Sequence, residues 1–482
     1  MKNFKKNIAL LAALACAGTM LAGCSSDATT DDTAAEGGET TTAAAAEGGD
    51  AATTDAPAAD ATGDDAAAAG DKLTILCWNT DDIDPMIKTF CANTDHTAEE
   101  FNVKSFGCGG GEAAENYDNY LSDAANDADI MFVEADWALK YINDDSAETG
   151  TKPLTDIGFS DADYGDLYGY TVEIGKSTSG VQKGLSWQAA AGGFCYRTDL
   201  AETYLGVKTP DEMQALVADW DTFVATAAKV SEASGGQTAL TTTAAGAWQV
   251  FSAGRNTPWV ADNKLTLDDS AKTYIDLAKQ MYDNGYIIKD LGQWSTDWYA
   301  AGQTDTTMGY FVSTWGFGDA ILSQAAGGEG GATYGKWNVV VGPQPFYWGG
   351  TWATVANRCN NPELAKEFIS FFTTNTEGAT AYANDKGEYV SNKAAMANVI
   401  PNYAGLGVLG GQNHFEVLNV VADQIDMAGG ITPYDSTIKT AFNDAVTAYC
   451  QGTYATADEA IAGWAQNVAA ALPDLDYSNF EG

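Results

Sequence analysis

The chain has 482 residues, of which 66 are Asp or Glu and 24 are Lys or Arg, giving a net charge of −42. Nucleic-acid binders neutralise phosphates with clustered Lys and Arg, so this balance excludes that class. With 45% hydrophobic and 11% aromatic residues the chain still carries material for a large core, which excludes a disordered acidic tail as a reading of the whole.

Residues 1–24 read as a signal peptide: Lys2, Lys5 and Lys6 precede an apolar stretch from Ile8 to Met20, short for a bilayer crossing, and Leu21-Ala22-Gly23-Cys24 follows. That last run resembles the bacterial lipoprotein cleavage box, which makes Cys24 the expected lipidation site and acyl chains on it (palmitate among them) the expected anchor. The plainer alternative is an ordinary secretory signal with a chance Cys. Residues 25–70 hold only Ala, Thr, Gly, Ser, Asp and Glu apart from one Pro, with eleven acids and no base or aromatic residue. They read as a disordered tether reaching on the order of 40 Å. Without these eleven acids and the three signal lysines, residues 71–482 carry 55 acids and 21 bases, or −34.

Folded sequence begins at Lys72. Leu73 to Cys77 is an almost continuously apolar run that predicts a strand buried on both faces, and Asp84-Pro85 predicts the start of the helix after it. Cys108 to Glu112 is Gly-rich without dinucleotide-binding spacing and reads as a flexible loop. Asp129 to Val133 and Trp337 to Val341 are further buried-strand candidates, so the alternation argues for α/β layers with parallel sheets. Thr209-Pro210-Asp211-Glu212 and Thr456-Ala457-Asp458-Glu459 are capping boxes, and Asn361-Pro362 opens a helix whose Leu364, Phe368, Ile369 and Phe372 fall at the core-facing interval.

Chemistry-bearing motifs are sparse. A Gly-x-Ser-x-Gly elbow, a Walker loop and a His-Glu-x-x-His helix are all missing, and Asp161 to Asp166 reads as a solvated turn because it lacks the Gly and Glu of a calcium loop. Only His96 and His414 exist and no Cys-x-x-Cys pair occurs, so neither metal nor cofactor is expected. Cys77, Cys91, Cys108, Cys195, Cys359 and Cys450 could pair or stay reduced, and spacing does not choose. What stands out is thirteen Trp, many in polar or Gly-rich connecting segments. A Trp ring can be ordinary core; it can also stack on the C–H face of a sugar while Asp, Glu and Asn take the hydroxyls. Asn79 and Asp81 beside Trp78, and Glu134 and Asp136 beside Trp137, lie just past strand ends, where open α/β sheets bind ligands.

Gly184-Leu185-Ser186-Trp187-Gln188, Phe194 to Leu200, Thr209-Pro210 and Asp219 to Phe223 resemble the central stretch of bacterial extracellular solute-binding proteins of family 1, the maltose-binding-protein-like lipoproteins of carbohydrate ABC importers. The resemblance continues through Met308 to Trp315, Gly349 to Trp352, Asn361 to Ile369 and Asp458-Glu459-Ala460. It implies a two-lobed α/β fold of the type II periplasmic-binding, venus-flytrap kind with crossover hinges: lobe 1 from 71–187 and 349–398, lobe 2 from 188–348 and 399–482. It implies a cleft lined by Asn79, Asp81, Glu134, Asp136 and Trp137 from lobe 1 and by Trp248, Trp294, Trp298, Trp315 and Tyr434 from lobe 2, with Trp187, Gly350 and Trp352 near the crossovers. The expected protein is a monomer on the outer face of the cell membrane that performs no chemistry. It would hold a di- or oligosaccharide and deliver it to the transmembrane permease subunits. The alternatives are a surface glycoside hydrolase, or the same fold holding a cationic molecule such as a polyamine.

Overall fold

Eleven strands lie among the described residues: β1 (Leu73–Cys77), β2 (Phe101–Ser105), β3 (Ile130–Glu134), β4 (Gly184–Ser186), β5 (Ala191–Arg197), β6 (Val260–Ala261), β7 (Lys264–Leu265), β8 (Gly309–Ser313), β9 (Trp337–Val340), β10 (Phe346–Tyr347) and β11 (Thr351–Val355). The computed structural model describes residues 72–107, 110–427 and 430–480. The expected signal peptide with Cys24, the expected tether at 25–70 and Cys108 lie outside them.

β1 is buried along its whole length, as a strand covered on both faces must be. It pairs in parallel with β2 and β3, and the first sheet runs β2-β1-β3-β11-β4, with β11 antiparallel to both its neighbours. In the second sheet β5 is the centre, and β8, β9 and β10 all pair with it antiparallel. The expectation of parallel layers therefore holds for β1 to β3 and is corrected for β9. A short hairpin, β6–β7, stands apart.

Local signals place most helix starts. Thr209 Oγ1 accepts from Glu212 N while Glu212 Oε2 accepts from Thr209 N, closing the box that opens Pro210–Leu216. Thr456 caps Ala457–Ala471, but Glu459 reaches back to Ala455 N. Two expectations are corrected. The first helix, Thr80–Asn93, is capped by Asn79, whose Oδ1 accepts from Asp81 N at 2.9 Å; Pro85 sits inside it. The Gly-rich run read as a loop opens a helix at Gly110 that continues to Leu121.

The helices Thr80–Asn93, Pro362–Phe372 and Thr376–Lys386 cover the first sheet, with Phe90 packed on Phe101, Phe368 and Phe371 at centroid distances of 5.9, 5.3 and 5.2 Å. Each such ring, fully buried, contributes ~1.5–3 kcal/mol. Phe194, Phe223, Phe311, Phe442 and Trp464 build a second core on one face of the second sheet. The chain passes from first sheet to second between β4 and β5, and back between β10 and β11. These crossovers touch: Ala190, at a positive φ of 50°, accepts from Trp348 N at 3.0 Å and Ser313 Oγ at 2.8 Å. Gly350, at φ 100°, packs so closely that a Cβ there would stand 3.1 Å from that of Ala190. Among the described residues no helix is long and apolar enough to cross a membrane.

Candidate ligand cleft

The carboxyl ends of β1 and β3 share one edge of the first sheet with the start of β11, because Thr351 stands opposite Glu134 and Trp352 opposite Ser186. That edge carries Trp78, Asn79, Glu134, Asp136, Trp187 and Gln188, and the crossovers bring the second sheet against it. Glu134 marks the meeting point. Gly349 holds a left-handed φ of 66°, and a Cβ on it would stand 3.3 Å from Trp315 Nε1 and 3.6 Å from Glu134 Oε1, so the two side chains face each other across it.

On the second-sheet side, three half-exposed or exposed indoles converge. Trp294 stacks on Trp315 at 6.1 Å and tilts against Trp348 at 5.5 Å, while Trp315 meets Trp348 edge-on at 5.0 Å. Trp315 is locked by its Nε1–H, which donates to the Trp348 carbonyl at 2.8 Å. Trp294 is 45% exposed and holds a left-handed φ of 72°, strain that a bulky side chain adopts only when its surroundings demand it. A groove of about 580 Å³ flanks it, lined by Tyr299, Gln303, Asp319 and Gln324 among others.

The electrostatics are one-sided. Burial, reinforced by the charge of Asp136, pushes the Glu134 carboxyl up to about 8, although its Oε2 accepts from Asp136 N at 2.8 Å. Asp136 itself is ion-paired with Lys439 of the helix Asp435–Cys450, which packs in the second core, so this pair spans the two sheets. Burial works against the Lys439 charge, but Asp136 prevails and holds the ammonium above its usual range. Beside it Arg255 pairs with Asp435 at 3.3 Å and lies over the Trp259 ring. A further acidic pair, Asp82 and Glu388, occupies the same first-sheet edge next to Gln188.

Of the residues expected to line the cleft, the structure gathers Glu134, Trp315 and Trp294 there, with Asp136 on the interlobe ion pair and Gly350 at the crossover. Tyr434 is partly buried at the start of the helix Asp435–Cys450 and packs on the second core. Asn79 and Asp81 lie past β1, but the Asn79 side chain is spent on capping. Five indoles are corrected to packing residues. Trp248 is 1% exposed, enclosed by Trp259, Tyr274 and Phe442. Trp137 lies between Tyr117 and Tyr141, and Trp187 packs on Phe132. Trp298 and Trp352 are buried with their Nε1–H groups donating to Thr242 Oγ1 and the Thr171 carbonyl. Trp298 still backs Trp294 at 5.2 Å. Sequence reading missed Trp348, Glu388, Lys439 and Arg255 as site residues. Trp348, immediately before the paired glycines, carried a usable signal; the other three are brought in by tertiary contacts with no local pattern.

Among the described residues Cys77, Cys91, Cys195, Cys359 and Cys450 are free thiols, and no group of three His, Cys, Asp or Glu could hold a metal ion. The arrangement can bind: it offers flat apolar rings on one wall and acceptors on the other, beside the point where the crossovers meet.

Comparison with known proteins agrees with this geometry. Residues 85–405 match the family described as bacterial extracellular solute-binding protein. A crystal structure of an extracellular solute-binding protein family 1 superposes with a TM-score of 0.70 at 19% identity, over 83% of this chain and 99% of that one. The ABC transporter associated binding protein of B. animalis subsp. lactis Bl-04, in complex with beta-1,6-galactobiose, gives a TM-score of 0.61 at 20% identity over 83% and 97%. The maltose-bound MalE3 of T. maritima gives 0.61 at 16% over 83% and 100%. No curated protein sequence matches the chain. These likenesses show the two-lobed α/β fold, and the family match covers about two thirds of the chain: it belongs to the bacterial extracellular solute-binding proteins.

Proposed function

We propose that this protein is the lipid-anchored receptor of an ABC importer, binding a di- or oligosaccharide between its lobes and presenting it to the permease subunits. The observation that carries the reading is the convergence of Trp294, Trp315 and Trp348 opposite Glu134. Indole faces match the C–H faces of sugar rings, and a carboxylate accepts their hydroxyls. The groove beside Trp294 leaves room for a second ring. Among the fold neighbours, one is in complex with beta-1,6-galactobiose and one is bound to maltose, which supports the sugar class without naming the sugar.

The lobes divide as 71–187 with 349–398 and 188–348 with 399–482, hinged at the touching crossovers. Ligand contacts from both lobes exist together only in the closed form, so binding shifts the population towards it, and the permease reads that shape. Cys24 ties the protein to the outer face of the membrane through its tether, and the ligand leaves chemically unchanged.

The test is calorimetry of the mature protein against a glycan panel, with Trp315→Ala as the variant. Wild-type binding with at least a tenfold loss on substitution supports the reading. Binding by no member of a broad panel, or affinity unchanged in the variant, rejects it. Chromatography of the same mixtures separates a receptor from a hydrolase, because only the latter yields shortened products.

A further inference from the structure

Beside the indole cluster, the first-sheet edge holds a buried acidic site in which two carboxyls share one nearby cation. Glu388 follows Gly387, the left-handed residue that ends the helix Thr376–Lys386, and is 6% exposed. Gln188 Nε2 donates to its Oε2 at 3.5 Å, a long hydrogen bond, and the Thr314 hydroxyl lies close enough to donate to the carboxyl, whose Oε1 has no partner of good geometry among the described residues. Asp82, in the first turn of Thr80–Asn93, adds a second carboxylate with a side chain 16% exposed. Two more buried polar groups belong to the same cluster. The Tyr382 hydroxyl, on a fully buried ring, lies within the charge field of both Asp82 and Glu388, next to the Trp187 indole nitrogen. The indole N–H is close enough to donate to the hydroxyl, and neither atom has another hydrogen-bond partner among the described residues. Thr314, directly after β8, adjoins Glu388 from the second sheet and is the residue before Trp315.

The protein supplies one cation to this pair. Lys386 Nζ stands 4.0 Å from Asp82 Oδ1, but it donates at 2.6 Å to the Asp81 carbonyl, so it answers at most one of the two charges. Burial, with the charge of Asp82 adding to it, pushes the Glu388 carboxyl up to about 8, and burial raises Asp82 to about 6. A water could fill the open hydrogen bonds, but only a cation lets both carboxyls ionise. Sugar hydroxyls have the same shortcoming.

We propose that this acidic site receives an ammonium group of the ligand, so that the solute is a carbohydrate bearing a free amine. Three N–H donors of one ammonium match the open acceptors of Glu388 Oε1, Asp82 and the Tyr382 hydroxyl. The ring carrying the amine is then delivered towards Trp315, one residue from Thr314. Because Thr314 comes from the other sheet, the site is completed only as the lobes approach, and the ligand's charge favours closure. This assignment rests on the carbohydrate reading for the indole cluster, while the ammonium site stands on its own residues.

Calorimetry of the mature chain at pH 6 tests it with three β-1,4-linked trisaccharides that differ at C2: glucosamine (ammonium), N-acetylglucosamine (neutral amide) and glucose (hydroxyl), with spermidine as a sugar-free amine. The expected result is at least tenfold tighter binding of the glucosamine trimer than of either neutral trimer, with the preference falling to within about threefold in Glu388→Gln. Asp82→Asn serves as the second variant should the first unfold, and thermal melts report folding. A neutral trimer that binds as tightly as the amine overturns the proposal and leaves the carbohydrate reading standing. Spermidine binding that Glu388→Gln abolishes, with no trimer bound, upholds the ammonium site and removes the sugar. Binding by neither amine overturns the site.

Discussion

A carboxyl buried beside another carboxyl must find a cation or keep its proton, and Glu388 and Asp82 show what that does to the unliganded fold. The Glu388 carboxyl is raised from 4.5 to about 8, chiefly by burial and then by Asp82. Below the lower value both folded and unfolded chains hold the proton and nothing is lost. Between the two values the unfolded chain ionises freely while the folded one resists, so stability falls as pH rises and the full penalty stands above about 8. Asp82, facing Lys386, does the same from 3.8 to about 6. Glu388→Gln is therefore expected to raise the melting temperature at pH 8 by about 2–5 °C and to change it little at pH 4.5. A variant equally or less stable at pH 8 would contradict the burial argument. The indoles allow a sharper contrast. Trp248→Ala should cost about 3–5 kcal/mol in urea unfolding, as for any large buried ring, while Trp294→Ala, 45% exposed, should cost under ~0.5 kcal/mol yet weaken ligand binding at least tenfold. The opposite ordering would move the site. Composition made tryptophan conspicuous without sorting core from cleft. Trp248 did have a local signature of burial, since Thr243 caps its helix through Gly246 N and Phe251 follows at the i, i+3 interval. For Trp137, half of the enclosure comes from nearby Tyr141 and the other half from Tyr117, twenty residues away, which the local pattern does not reveal.

Helix starts were legible where both partners of the cap lie within four residues, as at Thr209 and Thr456. The first helix was misjudged although its cap, Asn79 on Asp81 N, is equally local, because the group that lets Pro85 lie inside the helix is far along the chain. A proline in a helix interior leaves the carbonyl four residues earlier without its N–H, and for Pro85 that carbonyl belongs to Asp81. Here Lys386, 305 residues later, donates to it. A cation at the end of its own helix, Thr376–Lys386, is also favoured by that helix's dipole. A double-mutant cycle isolates the carbonyl. Lys386→Met should cost about 1–3 kcal/mol alone, partly from the orphaned carbonyl and partly from Asp82. In a Pro85→Ala background, where the backbone N–H gained by the substitution restores the helical bond, only the Asp82 part remains. Chemical denaturation should show a coupling of at least ~0.5 kcal/mol, and strict additivity would mean that Lys386 does not replace the missing donor. The same nonlocality hid β9: its apolar run is that of a buried strand, but the direction of its pairing with β5 is decided by connections that the run does not contain.

At the scale of the whole molecule, charge that looked like mere solubility has one localised task. The pair between Asp136 and Lys439 joins residues 303 apart in sequence and spans the two sheets. Its side chains are 48% and 20% exposed, so solvent screens it and it contributes at most ~1 kcal/mol. That is small against a folded domain but comparable with the free energy between open and closed lobes, where ~1.4 kcal/mol is a tenfold change in population. Breaking the pair should therefore open the unliganded protein without unfolding it. For Lys439→Met, small-angle scattering at about 50 mM salt should give a larger radius of gyration than wild type, with the melting transition retained. Raising salt to about 500 mM should expand the wild type, because screening weakens a partly exposed pair, and should leave the variant nearly unchanged. Identical salt responses in the two proteins would show that closure is held by packing at the crossovers around Ala190 and Gly350, and that the charge pair only accompanies it.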